Sequence, residues 1–355
     1  MLFGCGAEPT SNPTDTHSSQ TPLQGWQVLA DEWAGGALAS AWAPATTDID
    51  SGWVLVGGDG TTGVILELIE GQWQKWSIEQ SGQLWWVHGD AQGRRVAVGD
   101  KGTVVSWARG DETPTVTQLT AFKDSATALY GVWFGSSSDE IWLVGGAPLI
   151  GPGSGKLVRL SRKVLTGKPL STSDYEEIDL ADELGVLFKI IGTPDGQLWA
   201  VGDGGQIWHR NAEKWTLEAT IDTDVLIGIA GGAPDQLVVV GGRGTGVVAR
   251  RDATGWQIKA GAVPDSWIPG LSAVIALDEG RALVAGNYGF VGEQSAQTPR
   301  NELPSLEPPL TSMTLHGGFG TTSHQVMVGG TFENPSAPRR GCVLVRGSTA
   351  LPALP

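Results

Sequence analysis

Cysteine, tyrosine and charge are all scarce in this 355-residue chain, and each scarcity excludes something. Two cysteines, Cys5 and Cys342, cannot supply a disulfide framework, and without a Cys-x-x-Cys or His-x-x-x-His pair no zinc site is expected. Charged residues make up 17% of the chain, 23 basic against 38 acidic, for a net charge of −15. That balance repels phosphate backbones and removes the electrostatic attraction that drives nucleic-acid binding. No run of 18 apolar residues is present, so no transmembrane helix is expected. Helical periodicity is weak throughout, and the five histidines and three tyrosines leave few groups for acid–base or nucleophilic chemistry.

What the chain has in quantity is glycine, 52 residues, and tryptophan, 16. With 20 prolines, Gly and Pro together stay below the roughly 25–30% of a low-complexity sequence. The glycines fall in a pattern. A short apolar run ends in glycine at Gly57, Gly99, Gly145, Gly202, Gly241, Gly286 and Gly329, with spacings of 42, 46, 57, 39, 45 and 43 residues. About 40–50 residues is the period of a propeller blade. A second register agrees: Leu38, Leu84, Leu129, Leu187, Leu226, Leu271 and Leu315 precede those glycines by 19, 15, 16, 15, 15, 15 and 14 residues. A third apolar run follows each glycine after a tight turn, as in Gly63-Val64-Ile65-Leu66 and Gly246-Val247-Val248-Ala249, and is degenerate near Phe290-Val291. The Val-Gly-Gly and Val-Gly-Asp turns are expected to supply the positive-φ positions of short hairpins.

A fourth run often opens on tryptophan: Trp73, Trp215 and Trp256. Another copy, Gly25-Trp26-Gln27-Val28-Leu29, lies ahead of the first unit, while the seventh unit ends at Gly347 without one. The expectation is therefore an all-β, seven-bladed β-propeller of four-stranded antiparallel blades over residues 25–347, with the N-terminal strand closing the ring and 348–355 as a tail. Inner strands packed on both faces should be continuously apolar, and these are.

The repeats at Leu129-Tyr130-Gly131-Val132-Trp133-Phe134, running on to Glu140-Ile141-Trp142-Leu143-Val144-Gly145, and at Leu198-Trp199-Ala200-Val201-Gly202-Asp203-Gly204-Gly205 carry a resemblance. They resemble the photosystem II assembly factor-like propellers, grouped with the BNR (Asp-box-like) repeats common in secreted bacterial proteins. The resemblance implies a fold and says little about function. No copy holds a full Ser-x-Asp-x-Gly-x-Thr-Trp box, and the assembly-factor role is not carried over. Met1-Leu2-Phe3-Gly4-Cys5-Gly6 resembles a bacterial lipoprotein signal, although only four residues precede Cys5 where an apolar core of 7–15 is usual. The resemblance implies lipidation of Cys5, and Gly6 after it implies outer-membrane sorting. Residues 6–24, polar apart from Leu23, have the composition of a disordered tether. The expected address is the cell envelope; an unlipidated Cys5 would mean the cytoplasm.

Alignment of the repeats places His88 with Trp42 and Trp133, and His316 with Trp85, Tyr130 and Phe188, so both are expected in core or ring positions. His209 is expected as a solvated strand residue beside Arg210. Sialidase-like catalysis needs an arginine cluster and a tyrosine with a carboxylate partner; Tyr130 and Tyr288 are the candidates, and Tyr130 falls in an aromatic slot. Asp59, Asp100 and Asp203 follow repeat glycines and offer one carboxylate per turn to a calcium ion. No metal, cofactor or catalytic residue is assigned. The constellation singled out for binding lies in the segments leading into the first strand of most units: Asp31 and Glu32, Asp124, Asp182 and Glu183, Asp222 and Asp224, and Asp265, with Trp33, Phe122, Phe188 and Trp267. Their acids and rings are expected to converge about the axis and bind a protein or glycan partner at the cell surface by stacking and acceptor groups. The function expected is a non-catalytic, monomeric binding scaffold, with a glycan-binding or glycan-active propeller as the alternative.

Overall fold

The computed structural model describes residues 25–44, 52–90, 92–123, 126–134, 139–148, 153–180, 184–212, 214–261, 267–277, 280–298, 302–321, 323–332, 337–347 and 351–355. Seven antiparallel sheets follow one another along the chain. Blades 1 to 6 begin at residues 37, 84, 128, 187, 226 and 271, and blade 7 at residue 314. Blade 7 takes its outermost strand from the other end of the chain: Trp26–Trp33 pairs with Gly341–Arg346, Trp26 opposite Arg346 and Trp33 opposite Gly341. The ring is thus closed by hydrogen bonds between N- and C-terminal strands, as the stray tryptophan run predicts. Residues 351–355 reinforce the seam. Leu351 is buried with blades 1 and 7, the Trp73 indole donates to Pro352 O at 2.9 Å and the Trp33 indole to Pro355 O at 2.9 Å.

The seven leucines are the innermost wedges, each at most 1% exposed. After every one of them the pairing slips by one residue, for example between Leu129 and Gly131 and between Leu187 and Lys189. A β-bulge of this kind leaves one residue of the inner strand unpaired and bends it. It also explains the repeat glycines. A Cβ at Gly145 or Gly202 would overlap the carbonyl oxygen of Ala128 or Val186, the residue just before the leucine, and the other five repeat glycines meet the same obstacle. The Val-Gly-Gly turns at Gly58, Gly146 and Gly242 and the Val-Gly-Asp turns after Asp100 and Asp203 do supply positive-φ positions, but not at the repeat glycine itself. None of the seven has a positive φ; that conformation falls one residue on at Gly58, Gly146 and Gly242 (φ 84°), and two or three residues on at Lys101, Gly102, Gly204 and Gly205.

Blade 6 departs from the four-stranded expectation. Among the described residues it has three strands, ending at Val291–Gln294. Its outer edge is covered by residues 304–306, where Glu293 N donates to Pro304 O at 3.0 Å and Leu306 N to Val291 O at 2.8 Å. Blade 3 departs in the other direction. Its third and fourth strands are joined by a long link that crosses to blade 2, where Leu170 N donates to Gln118 O at 2.7 Å and Thr120 N to Leu170 O at 2.9 Å.

Each blade presents two ends. On the front face lie the segments leading into the inner strands and the hairpins between second and third strands; on the back face lie the other hairpins. Among the described residues, no helix is long and apolar enough to cross a membrane.

Candidate functional site: the front face

The bulged residues after the leucines are Ala39, Trp85, Tyr130, Phe188, Ile227, Ser272 and His316. Four of them are rings, and they meet. Trp85 lies 5.5 Å from Tyr130 and 5.6 Å from His316, and Tyr130 lies 5.1 Å from Phe188. Phe332, from the front hairpin of blade 7, stacks on Trp85 at 5.9 Å and packs at a tilt against His316 at 5.1 Å. Blades 2 and 7 are not neighbours, so contacts between them are made across the axis. All five rings are half-buried. They form an aromatic mouth at the front end of the central channel.

Carboxylates rim this mouth, and each has a task. Asp100 Oδ1 accepts from the Trp85 indole at 2.7 Å and Oδ2 from Gln83 N at 2.8 Å. Burial nevertheless raises its pKa above the ordinary aspartate value. Asp203 is also raised by burial, with Arg243 opposing the shift through a contact of 3.2 Å. Burial and then the charges of Asp100 and Asp203 push the Tyr130 phenol upward, so it stays protonated and is no nucleophile near neutral pH. Asp59 caps its own turn, accepting from Thr61 N and Thr62 N at 2.7 Å each. With these commitments Asp59, Asp100 and Asp203 do not assemble, and no group of three or more potential metal ligands occurs among the described residues.

Below the mouth, one residue further along the inner strand of blade 4, sits Lys189. Its side chain is 3% exposed. Nζ donates to Tyr130 O at 3.2 Å and lies 3.9 Å from the centre of the Trp86 ring. Burial lowers its pKa to about 7. His316 is held neutral, at about 4, by burial and by the nearby Lys189, and its Nδ1–H donates to Ala39 O at 2.9 Å. His88 is a core ring as expected, stacked 4.2 Å from Trp133 and 6.3 Å from Trp42, with Nδ1 accepting from Phe134 N at 3.0 Å. His209 is not simply solvated: it stacks on Trp199 at 4.4 Å and contacts Gln197 Oε1 at 2.8 Å.

The front face continues outward from the axis through Arg243. Its backbone N–H donates to Asp224 Oδ1 at 3.3 Å, and its carbonyl accepts from Asn287 Nδ2 at 3.4 Å. Beyond Asn287 opens a cleft of about 400 Å³ whose walls include Trp267, Tyr288, Phe290, Leu303 and Glu307. Trp267 and Tyr288 are 64% and 67% exposed, and Tyr288 holds a left-handed φ of 59°.

The residues singled out from the sequence do not converge on the axis as a set. Phe188 stands in the mouth against Tyr130, and Asp224 and Trp267 stand on the surface outward of it. Asp31 accepts from Thr311 Oγ1 at 3.0 Å, Trp33 is tied to Pro355 with Lys75 over its ring, and Phe122 is buried against Tyr175 in the core of blades 2 and 3. Asp124, Asp182, Glu183, Asp265 and Cys5 lie outside the described residues. Sequence reasoning passed over Trp85, Tyr130 and His316 as core slots. The available signal was their position: rings directly after the wedge leucine, where the bulge turns a side chain toward the axis.

No family model matches this chain, and no curated protein matches it. Solved structures do. Virginiamycin B lyase from Staphylococcus aureus superposes with a TM-score of 0.62 at 12% identity, covering 90% of this chain and 98% of its own. YCF48 from Cyanidioschyzon merolae gives 0.63 at 11%, covering 91% and 98%. A structure of YCF48 bound to D1 peptide gives 0.59 at 12%, covering 92% and 97%. At such identities the likeness shows the propeller fold alone.

Proposed function

We propose that this propeller is a non-catalytic interaction scaffold that receives an extended protein segment across its front face, at the cell envelope, with lipid on Cys5 as its anchor. The observation that carries the reading is the continuity of that face: a five-ring mouth at the axis, an Asp203–Arg243–Asp224 bridge, and an open cleft walled by Trp267 and Tyr288. Aromatic anchors flanked by acceptors suit a segment bearing apolar or aromatic side chains and a basic residue. That YCF48 has been captured with a peptide supports a peptide as the class of partner for this fold. The acids near the axis accept bonds from Trp85, Gln83 and Arg243, which is the work of a fixed surface rather than of proton transfer.

The test is selection from a displayed random-peptide library. Saturable binders are expected that lose at least tenfold in affinity on Trp267→Ala or Asp224→Asn. Binders indifferent to both substitutions would overturn the front-face reading. Exposed Trp267 and Tyr288 beside Glu307 also favour a second reading, a sugar ring stacked on an aromatic platform; a glycan array with wild type and Trp267→Ala distinguishes it. The anchor is tested separately by intact mass of the protein expressed from its own locus, where a diacyl or triacyl Cys5 is expected and an unmodified Met1 overturns it.

A further inference from the structure

On the back face, between blades 2 and 3, lies a groove of about 410 Å³ whose lining includes Arg94, Arg95, Arg162, Lys163 and Phe134. Four cations in one cavity stand out in a chain of net charge −15. The Arg162 guanidinium lies 4.1 Å from the centre of the Phe134 ring, and that of Arg94 lies 5.5 Å from the same ring. Arg162 comes from the link of blade 3 that crosses to blade 2, so the segment that departs from the repeat is the one that builds this wall.

The carboxylates facing the groove are already engaged. Buried Asp90 pairs with Arg94 at 2.6 Å and stands 3.6 Å from Arg162 Nη1. Glu67 holds Arg95 at 2.8 Å, Asp139 lies 3.3 Å from Lys163, and Asp111 accepts from Ala108 N at 2.7 Å. What remains is the edge of Arg162. Its side chain is 11% exposed, and Nε and Nη2 are buried without a hydrogen-bond partner. Unsatisfied buried donors are costly, on the order of 1–3 kcal/mol each. A guanidinium stacked on a ring keeps its in-plane donors for a planar or tetrahedral oxyanion, which it grips with two parallel bonds. Burial and the neighbouring Arg94 disfavour the charge on Arg162, Asp90 and Asp139 favour it, and an added anion would add to that attraction.

We propose that this groove is a binding site for a tetrahedral oxyanion, a phosphate or sulfate group, gripped by the Nε–Nη2 edge of Arg162 with Arg94 and Lys163 at its open side. This goes beyond the front-face reading and does not depend on it. The experiment is thermal denaturation and titration calorimetry of the full chain with sodium phosphate against sodium chloride at matched ionic strength. Parallel arms use glycerol 3-phosphate and phosphatidylglycerol vesicles, to separate a free ester from a lipid headgroup. A saturable rise in Tm with phosphate is expected in the wild type. Arg162→Gln should weaken it at least tenfold, and Arg162→Lys should not restore it because the fork is lost. Should Arg162→Gln fail to fold, Arg94→Gln, at a more exposed side chain, is expected to weaken phosphate binding several-fold. No saturable effect in the wild type, or equal effects in wild type and Arg94→Gln or Arg162→Gln, would overturn the proposal.

Discussion

The two faces of the ring are cut from the same seven blades and carry opposite chemistry. At the front, aromatic rings and carboxylates gather about the axis and spread to an exposed Trp267–Tyr288 cleft. At the back, between blades 2 and 3, arginines gather around Phe134. Neither face owes its character to the residues that repeat. The wedge leucines and the glycines that face them are common to all blades and build the frame; the side chains that do not repeat, Tyr130 after Leu129 or Arg162 beyond the third strand of blade 3, give each face its chemistry.

The comparison is broken most severely in the core behind the back groove, which Arg95 lines. Arg95 and Glu67 are fully buried partners at 2.8 Å, and Glu67 also accepts from the Trp107 indole at 2.8 Å. Arg95→Met strands a buried carboxylate and should cost about 3–5 kcal/mol in denaturant unfolding, most of it recovered in the double variant with Glu67→Leu. If the double variant recovers nothing, the pair is not an isolated unit. Gly202→Ala attacks the common frame, forcing a Cβ onto the Val186 carbonyl; a loss of about 3 kcal/mol is expected from such overpacking. An unchanged melting curve would show that the bulge can relax.

Acid should act on both faces alike. His316 at the front and His88 near the back groove each have a folded pKa of about 4, below the free value of 6.5, chiefly through burial. The unfolded chain therefore binds more protons between those values. The histidine contribution is full above about pH 6.5 and falls as the pH drops toward 4, by on the order of 3 kcal/mol for each histidine. His316→Phe should remove about half of that acid sensitivity in a pH series of urea melts; an unchanged slope would place the cause elsewhere. The smallest effect is the sharpest test of surface against frame: Trp267→Ala should leave stability within about 0.5 kcal/mol while weakening partner binding.

Legibility followed repetition. Leu84 or Leu226 could be found because burial against both neighbouring blades imposes the same residue at the same place in every blade, and the closing strand at Trp26 because one unit lacked a partner. The reason for the glycines was harder to see, because a spacing does not reveal that the inner strand bulges toward Gly202. The missing fourth strand of blade 6 was foreshadowed only by degeneracy near Phe290. At the site, Phe188, Asp224 and Trp267 were legible as chemistry at or near a lead-in segment. Asp31, Trp33 and Phe122 share that description, yet the fold spends them on Thr311, Pro355 and the core. Arg243 and Arg162 could not be singled out, since only the folded ring brings Arg243 to Asp203 and Arg162 onto Phe134.

The most direct test of the front-face claim is the hydrogen-exchange footprint of a peptide selected against the wild-type ring. The account predicts protection around 83–85, 241–246 and 286–290, with no change at 92–96 or 162–165. Protection at the back groove, with the front face exchanging as in the free protein, would contradict it.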